Sequence, residues 1–424
     1  MKKEFPKKFE KVFLRIGIVL LVLGLFLNQW MVTKIISPDG LPAAAYFFVW
    51  TQQAALFILG VLFIVFRKNS SAIANLLLLV GTVVLFLVAA EVLLRCCHYK
   101  VQKLKLFKEN PFQTGSYRLL PNLDLITNIE GQKVHIRTNR FGMPWGNVDK
   151  QTKDARKRVA VVGDSFAFGC WVEEFSDGMT GVFKDSIDSG RFEVLNFAVC
   201  GYGPGDIALQ LKEEVLPFSV DYILVFFWNG NDFGDAYSGL DRYAVVDGTI
   251  KWRNEGANRF LIELKEFMSN LSLYKLVSHY MGLMQARKDF SLNKPVTPAV
   301  AWSLKEDSPL RIEARKKTLE EMEKIKVFAL QHQIKLMIVA IPFEEQVYAP
   351  KLVYEKYDFH LPQKYIEDFA RTNNIPYLDL LPFLRSYVAT HKESIFLKND
   401  VHFNQQGHEI VGEQIAGFFD EYSN

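Results

Sequence analysis

Ser165 closes the apolar run KRVAVVGDSFAFG, and with Asp400 and His402 far downstream it completes a set of residue types able to move an acyl group. Acyl transfer from an ester needs a nucleophile, a base for its proton, a group that orients the base, and donors for the oxyanion that develops. Ser165 offers the hydroxyl, at the point where an apolar strand ends. His402 is the candidate base, and Asp400, two residues before it, is placed to hold the imidazole tautomer and stabilise the imidazolium. The candidate oxyanion donors are the backbone N–H groups of Ser165 and Gly201 and the side-chain amide of Asn231. Gly201 lies in NFAVCGYGPG (196–205) and Asn231 in WNGND (228–232). Such donors are fixed where charge appears, so losing one costs roughly 3 to 4 kcal/mol in the transition state.

Each of these residues also has a plainer reading. A serine after Gly-Asp is a common way to leave a strand and start a helix. Gly201 and Gly203 suit a tight turn, and Asn231 suits a helix cap. His408 competes with His402 as the base, although His402 precedes the final helix on a loop, and Asn399 competes with Asp400 as the orienting group. Cys170 follows Ser165 closely and Cys200 stands immediately before Gly201, so a disulfide beside the site and a pair of buried free thiols are both open.

The elements that must carry these residues read as an α/β fold. After Lys157, apolar strands are expected at Val159 to Val162, Phe192 to Val199, Tyr222 to Trp228, Leu336 to Ile341 and Ile375 to Leu378. They alternate with helices at Asp206 to Leu216, Ile312 to Gln333, Gln363 to Asn373 and Gln405 to Tyr422. Buried strands separated by amphipathic helices predict a three-layer parallel sheet covered on both faces. In such sheets ligands bind at the carboxyl ends of the strands, where all four candidate segments fall. Between 233 and 307 the alternation is interrupted by an insertion. It holds a hairpin signal at Arg242 to Arg253 around Asp247-Gly248 and an apolar helical stretch at Phe260 to Met284. That stretch is a lid, a surface on a bilayer, or packing against the core.

The four segments together resemble the SGNH (GDSL-like) hydrolase superfamily over about Lys157 to Phe419. Gly163-Asp164-Ser165 matches the family's GDS block, Gly201 its second-block glycine five residues after Asn196, and Asn231-Asp232 the N-D of its G-x-N-D block. Asn229 replaces the leading glycine of that block. Many members place the aspartate three residues before the histidine. The shorter D-x-H spacing of Asp400 and His402 is similar to that of alginate-acetylation proteins in the superfamily. Thr138-Asn139-Arg140-Phe141-Gly142 resembles the N-x-x-G segment ahead of the GDS block in membrane-anchored bacterial members. The resemblance implies a Ser165/His402/Asp400 triad with an oxyanion hole of Ser165, Gly201 and Asn231, and no cofactor.

The 424-residue chain is 49% hydrophobic, high for a soluble enzyme, and the excess lies before residue 97. Apolar blocks at Phe13 to Val32, Ala43 to Phe66 and Ala72 to Leu94 approach the ~20 residues a membrane helix needs. They predict three transmembrane helices in residues 1–96, a lead-in segment at 97–156, and a hydrolase-like domain at 157–424. Lys2, Lys3, Lys7, Lys8, Lys11 and Arg15, with Arg67 and Lys68, put the amino terminus and the second connection on the cytoplasmic side. Three crossings then place the domain on the periplasmic or extracellular side of a bacterial cell membrane. Glu91, near the end of the third block, reads either as a functional ionisable residue within the membrane or as a partner of Arg95 at i,i+4 spacing.

A net charge of +3 with no basic-aromatic stripe argues against nucleic acid as a partner. Four cysteines without a C-x-x-C pair, and eight histidines without H-E-x-x-H, give no zinc site. The expected partners are an ester substrate such as an O-acetylated glycan, and the lipid bilayer. The expected activity is hydrolysis through an acyl-enzyme on Ser165. Transfer of the acyl group to a polysaccharide hydroxyl, with a membrane partner that supplies the acyl donor, is the alternative, and a non-catalytic glycan-binding module is a third reading.

Overall fold

The computed structural model describes residues 7–26, 28, 43–96, 105–111, 116–129, 132–144, 154–240, 243–246, 248–252, 268, 271–274, 298–348, 357–391, 393–397 and 400–423. The chain divides into two compact units, residues 1–103 with 254–295 and residues 104–253 with 296–424.

In the first unit, α1 (Lys7–Phe26), α2 (Ala43–Phe66) and α3 (Ser70–Cys96) follow the three apolar blocks. Two of them are long and apolar enough to cross a membrane, over Val49–Phe66 and Ser70–Arg95. Of the three expected spans, two meet the length and composition that a crossing needs. The reason lies in α1, whose first turns carry Lys7, Lys8, Glu10, Lys11 and Arg15 before the apolar run from Ile16 begins. The end of that block, beyond Asn28, lies outside the described residues. A Cβ on Gly17 would meet the Gly60 carbonyl at 2.7 Å, and one on Gly60 would meet the Gly17 carbonyl at 2.9 Å, so α1 and α2 touch through their backbones. Phe13 stacks on Phe63 beside that contact.

Glu91 does pair with Arg95, at 2.7 Å. Its two oxygens also accept the N–H groups of Ser272 (2.9 Å) and Leu273 (2.8 Å), so part of the insertion is bound to α3. Most of the predicted helix at Phe260 to Met284 lies outside the described residues.

The second unit opens with antiparallel pairs β1 (Phe107–Glu109) with β2 (Tyr117–Leu119), and β3 (Asp124–Ile129) with β4 (Gln132–Arg137). The main sheet follows: β5 (Lys157–Val162), β6 (Phe192–Asn196), β7 (Tyr222–Trp228), β10 (Lys335–Ile341) and β11 (Tyr377–Asp379). The predicted hairpin after residue 242 forms β8 (Tyr243–Val246) and β9 (Thr249–Trp252). The five main strands are parallel in the order β11-β10-β7-β5-β6, as expected for an α/β core. Their side chains alternate between two buried clusters. Val159, Val161, Leu224, Phe226, Met337 and Val339 face one, while Ala160, Val162, Val225, Phe227, Leu336 and Ile338 face the other. Period-2 alternation with both faces apolar is what a doubly covered parallel strand requires.

Some expected boundaries move. β6 ends at Asn196 rather than Val199, because the Asn196 side-chain oxygen accepts the Ala198 N–H (2.9 Å) and turns the chain. The helix expected at Asp206 to Leu216 is α-helical only over Pro204–Gln210. It then widens to a π-turn and ends in a 3-10 turn at Pro217, whose ring nitrogen cannot donate.

The order amounts to an edge strand, the first strand, then three more in sequence, so the winding direction reverses between β5 and β7. That reversal opens a crevice at the carboxyl edge. Ser165 follows β5 and Asn231 follows β7, so both flank it.

Candidate active site

Ser165 is the first residue of the single-turn helix α4 (Ser165–Phe168), entered directly from β5. Asp164 caps this turn by accepting the Phe166 N–H at 2.9 Å, and Gly169 ends it with φ +84°. A Cβ on Gly163 would meet Ala167 Cβ at 2.9 Å and the Phe226 carbonyl at 3.0 Å, so the turn can hug β7 only with glycine there. As the first helical residue, Ser165 has no intrahelical acceptor for its own N–H. Asp164 is fully buried, and burial pushes its carboxyl up to about 6 against the pull of the Phe166 N–H and of His402.

The structure brings Ser165, His402 and Asp400 together. The Ser165 hydroxyl donates to His402 Nε2 at 2.7 Å, and His402 Nδ1–H donates to Asp400 Oδ1. The D-x-H spacing has a local reason: Asp400 Oδ1 also accepts the His402 backbone N–H at 3.0 Å, a two-residue side-chain turn that lays the carboxylate beside the ring. Burial raises the cost of ionising Asp400. The His402 ring, the His402 N–H and the Trp171 indole outweigh it and hold the carboxyl below its ordinary range. The rival Asn399 lies outside the described residues. His408 is fully buried, and its Nδ1 accepts the Met179 N–H at 3.2 Å, so it is committed to packing α12 (Gln405–Ser423). Burial, with the charge of His402 adding, drives its pKa down to about 3.

Gly201 has φ +79°, and a Cβ there would meet the Tyr117 hydroxyl at 2.7 Å, so conformation and space both demand glycine. Gly203 sits at φ −115°, so the plainer turn reading does not explain it. Asn231 stands at the cap position of α7 (Asp232–Ser238), yet its side chain makes no capping bond, and its Oδ1 is buried without a partner among the described residues. Asp232 does the local stapling instead, accepting the Trp228 N–H at 2.8 Å. Asn229, which replaces the family's glycine, donates its N–H (3.0 Å) and Nδ2 (3.2 Å) to the Ile341 carbonyl, tying the end of β7 to the end of β10.

Three further residues hold the site, two of them without any sequence signal. Trp171, in the left-handed region at φ +69°, donates its indole N–H to Asp400 Oδ2 at 3.1 Å and stands edge-on to His402. Tyr117, from β2, donates its hydroxyl to the Cys200 carbonyl at 2.7 Å, on the same peptide unit as the Gly201 N–H. Asn196 donates Nδ2 to the Ala167 carbonyl at 3.0 Å, fastening the end of β6 to the serine turn. Each acts across the chain, beyond any local pattern. The exception is Asn196, which the motif marks only by its distance from Gly201. Phe166 closes the other side of the imidazole at 5.0 Å between ring centres.

The N-x-x-G segment is a turn. Asn139 Oδ1 accepts the Phe141 (2.9 Å) and Met143 (3.1 Å) N–H groups, and Gly142 has φ +85°. Cys170 and Cys200 are free thiols whose sulfurs lie 2.7 Å apart. Among the described residues there is no group of three or more side chains able to hold a metal.

A parallel sheet with its winding reversal at β5 and β7, a glycine-hugged serine turn and a Ser-His-Asp hydrogen-bonded chain together form a candidate serine-nucleophile site at the carboxyl edge of the sheet. No family model matches the chain, and no curated protein matches it in sequence. Solved structures similar to it include the acetyl xylan esterase AlAXEase, at 12% identity and TM-score 0.37, covering 61% of this chain and 98% of that one. A two-domain esterase (CEX) active on acetylated mannans is similar at 12% identity and TM-score 0.35, covering 63% and 49%. The lipase/acylhydrolase from Enterococcus faecalis is similar at 16% identity and TM-score 0.33, covering 62% and 96%. At these scores the likenesses decide nothing about the chemistry, which is read from the chain's own residues.

Proposed function

We propose that the protein hydrolyses an acyl ester, an O-acetyl group on a glycan, through an acyl-enzyme on Ser165. One observation carries this reading: the unbroken hydrogen-bonded chain from the Ser165 hydroxyl through His402 to Asp400 at the carboxyl edge of the sheet. Ser165 Oγ attacks the ester carbonyl as its proton passes to His402 Nε2, and Asp400 keeps Nδ1–H in place and balances the imidazolium. The oxyanion is received by the N–H groups of Ser165 and Gly201 and the amide of Asn231. His402 then gives its proton to the departing alcohol, leaving acyl-Ser165. Water, deprotonated by His402, releases the acid and restores the serine.

Helices α2 and α3 support attachment to a bilayer. The backbone contact of α1 with α2 at Gly17 and Gly60 supports a third crossing, since small residues allow close helix packing in lipid. With three crossings and the basic amino terminus inside, the hydrolase unit faces the periplasm or exterior. A membrane-impermeant maleimide on intact cells, used with a cysteine introduced in place of exposed Lys316, is expected to label the protein. Labelling only after lysis would reverse the orientation.

The activity is tested with the full chain in detergent and a small acetyl ester. Ser165→Ala and His402→Ala are expected to lose about 10³-fold or more in kcat. Equal turnover in all three proteins ends the catalytic reading. Adding a glycan acceptor, and following acetyl-glycan against free acetate, separates transfer from hydrolysis.

A further inference from the structure

The nucleophile turn and the oxyanion loop share one more contact. Cys170 Sγ and Cys200 Sγ lie 2.7 Å apart. Cys170 is buried and Cys200 is partly exposed. The Cys170 N–H donates to the Ser165 carbonyl at 3.0 Å, so this cysteine closes the turn that begins at the serine. Cys200 immediately precedes Gly201, and its carbonyl is held by Tyr117. Two thiols in contact, one reachable from solvent and one behind it, are the arrangement a dithiol–disulfide exchange requires.

We propose that Cys170 and Cys200 form a modification site, oxidised by a disulfide-bearing oxidant to a bridge that joins the serine turn to the oxyanion loop. The Cys200 thiolate attacks one sulfur of the oxidant, forming a mixed disulfide and expelling one thiol. Cys170 loses its proton and attacks Cys200 Sγ, closing the bridge and expelling the second thiol. The two protein thiols lose two electrons and two protons, and the oxidant's disulfide gains them. Burial raises the Cys170 thiol well above its ordinary range, with Cys200 and the carboxylates of Asp164 and Asp400 adding to it. Cys170 is therefore the second thiol to react, and the order runs inward from the solvent.

The effect of the bridge on turnover rests on the esterase reading; its existence does not. Both are tested on the full chain, exposed either to oxidised glutathione or to dithiothreitol, then quenched in acid and blocked with N-ethylmaleimide under denaturing conditions. Tryptic cleavage after Lys184 and Arg191 puts the two cysteines on separate peptides. The expected result is a linked pair of those peptides after oxidation that separates on reduction, and that also forms in Ser165→Ala. Maleimide on both cysteines after oxidation, or linkage to Cys96 or Cys97 instead, overturns the proposal. For turnover, reduction is expected to lower kcat about tenfold by loosening the donors about the reacting carbonyl. An equal kcat in linked and reduced protein overturns the coupling to the site. Absence of esterase activity in both linked and reduced protein sinks the esterase reading and leaves the bridge standing, while activity in the reduced protein alone overturns the direction of the coupling.

Discussion

At the scale of single residues, the orientation of His402 depends on a chain of donors that ends at Trp171. The indole N–H shares the Asp400 carboxylate with the imidazole, and that sharing draws off part of the negative charge facing His402. In Trp171→Phe the ring contact survives and the donor is lost. The Asp400 carboxylate then loses one of the donors that hold it below the ordinary carboxylate range. On a small acetyl ester kcat should fall about tenfold with KM little changed. An unchanged kcat would make Trp171 a packing residue only. That Ser165, His402 and Asp400 could meet was legible from residue type and spacing. Trp171 was not, because its partner lies on the far side of the chain and nothing periodic marks an indole on a loop.

At the scale of elements, the loop around Gly201 is shaped by a strand outside the main sheet. Tyr117 on β2 leaves no space for a side chain at Gly201 and fixes the peptide unit ahead of it. Gly201→Ala should cost about 1–2 kcal/mol of stability from its left-handed backbone alone, read by urea unfolding, and a larger share of activity. Tyr117→Phe should cost about 1 kcal/mol. Pairing the two changes relieves the clash with the hydroxyl but not the backbone strain, so the double variant should recover only in part. Full recovery would mean that space alone selects the glycine. The strands of the sheet were readable because a buried parallel strand is apolar on both faces. The helix at Leu380–Thr390 was not, since it follows β11 directly and its cap, Asp379 accepting the Leu381 N–H at 2.9 Å, differs little from a turn.

At the scale of the whole molecule, stability should follow pH through buried groups of opposite sign. His408, pushed down to about 3, must stay neutral in the fold, so its stabilising share is present above pH 6.5 and is lost as pH falls toward 3. Asp164 and Asp379 are both pushed up to about 6 by burial, so their share is present below their ordinary range and is lost as pH rises through about 6. Above pH 4 these trends oppose each other; below it His408 acts in the same direction as Asp400, whose lowered carboxyl also loses its stabilising share as pH falls. His408→Gln should therefore flatten acid unfolding, followed by circular dichroism at fixed urea, by up to ~1.4 kcal/mol per pH unit. Identical acid limbs would remove His408 from the account. His135 works the other way. Held by Asp124 (2.6 Å) and Glu174 (2.9 Å), its pKa is raised, and the tie it makes between β4 and the loop after the serine weakens as pH rises through that value.

The sequence by itself determined the parallel α/β core, the order of the chemical segments along one sheet edge, and the apolar blocks before residue 97. These are encoded locally, in period-2 burial, in turn residues at strand ends and in runs of apolar residues. Tertiary structure alone decided how the parts meet. It laid the Asp400 carboxylate against the His402 ring through a side-chain turn, gave Asp400 a second donor from Trp171, and brought Cys170 into contact with Cys200. The physical reason is common to all three: a hydrogen bond or sulfur contact is a matter of a few tenths of an ångström in three dimensions, and spacing along the chain carries no such distance.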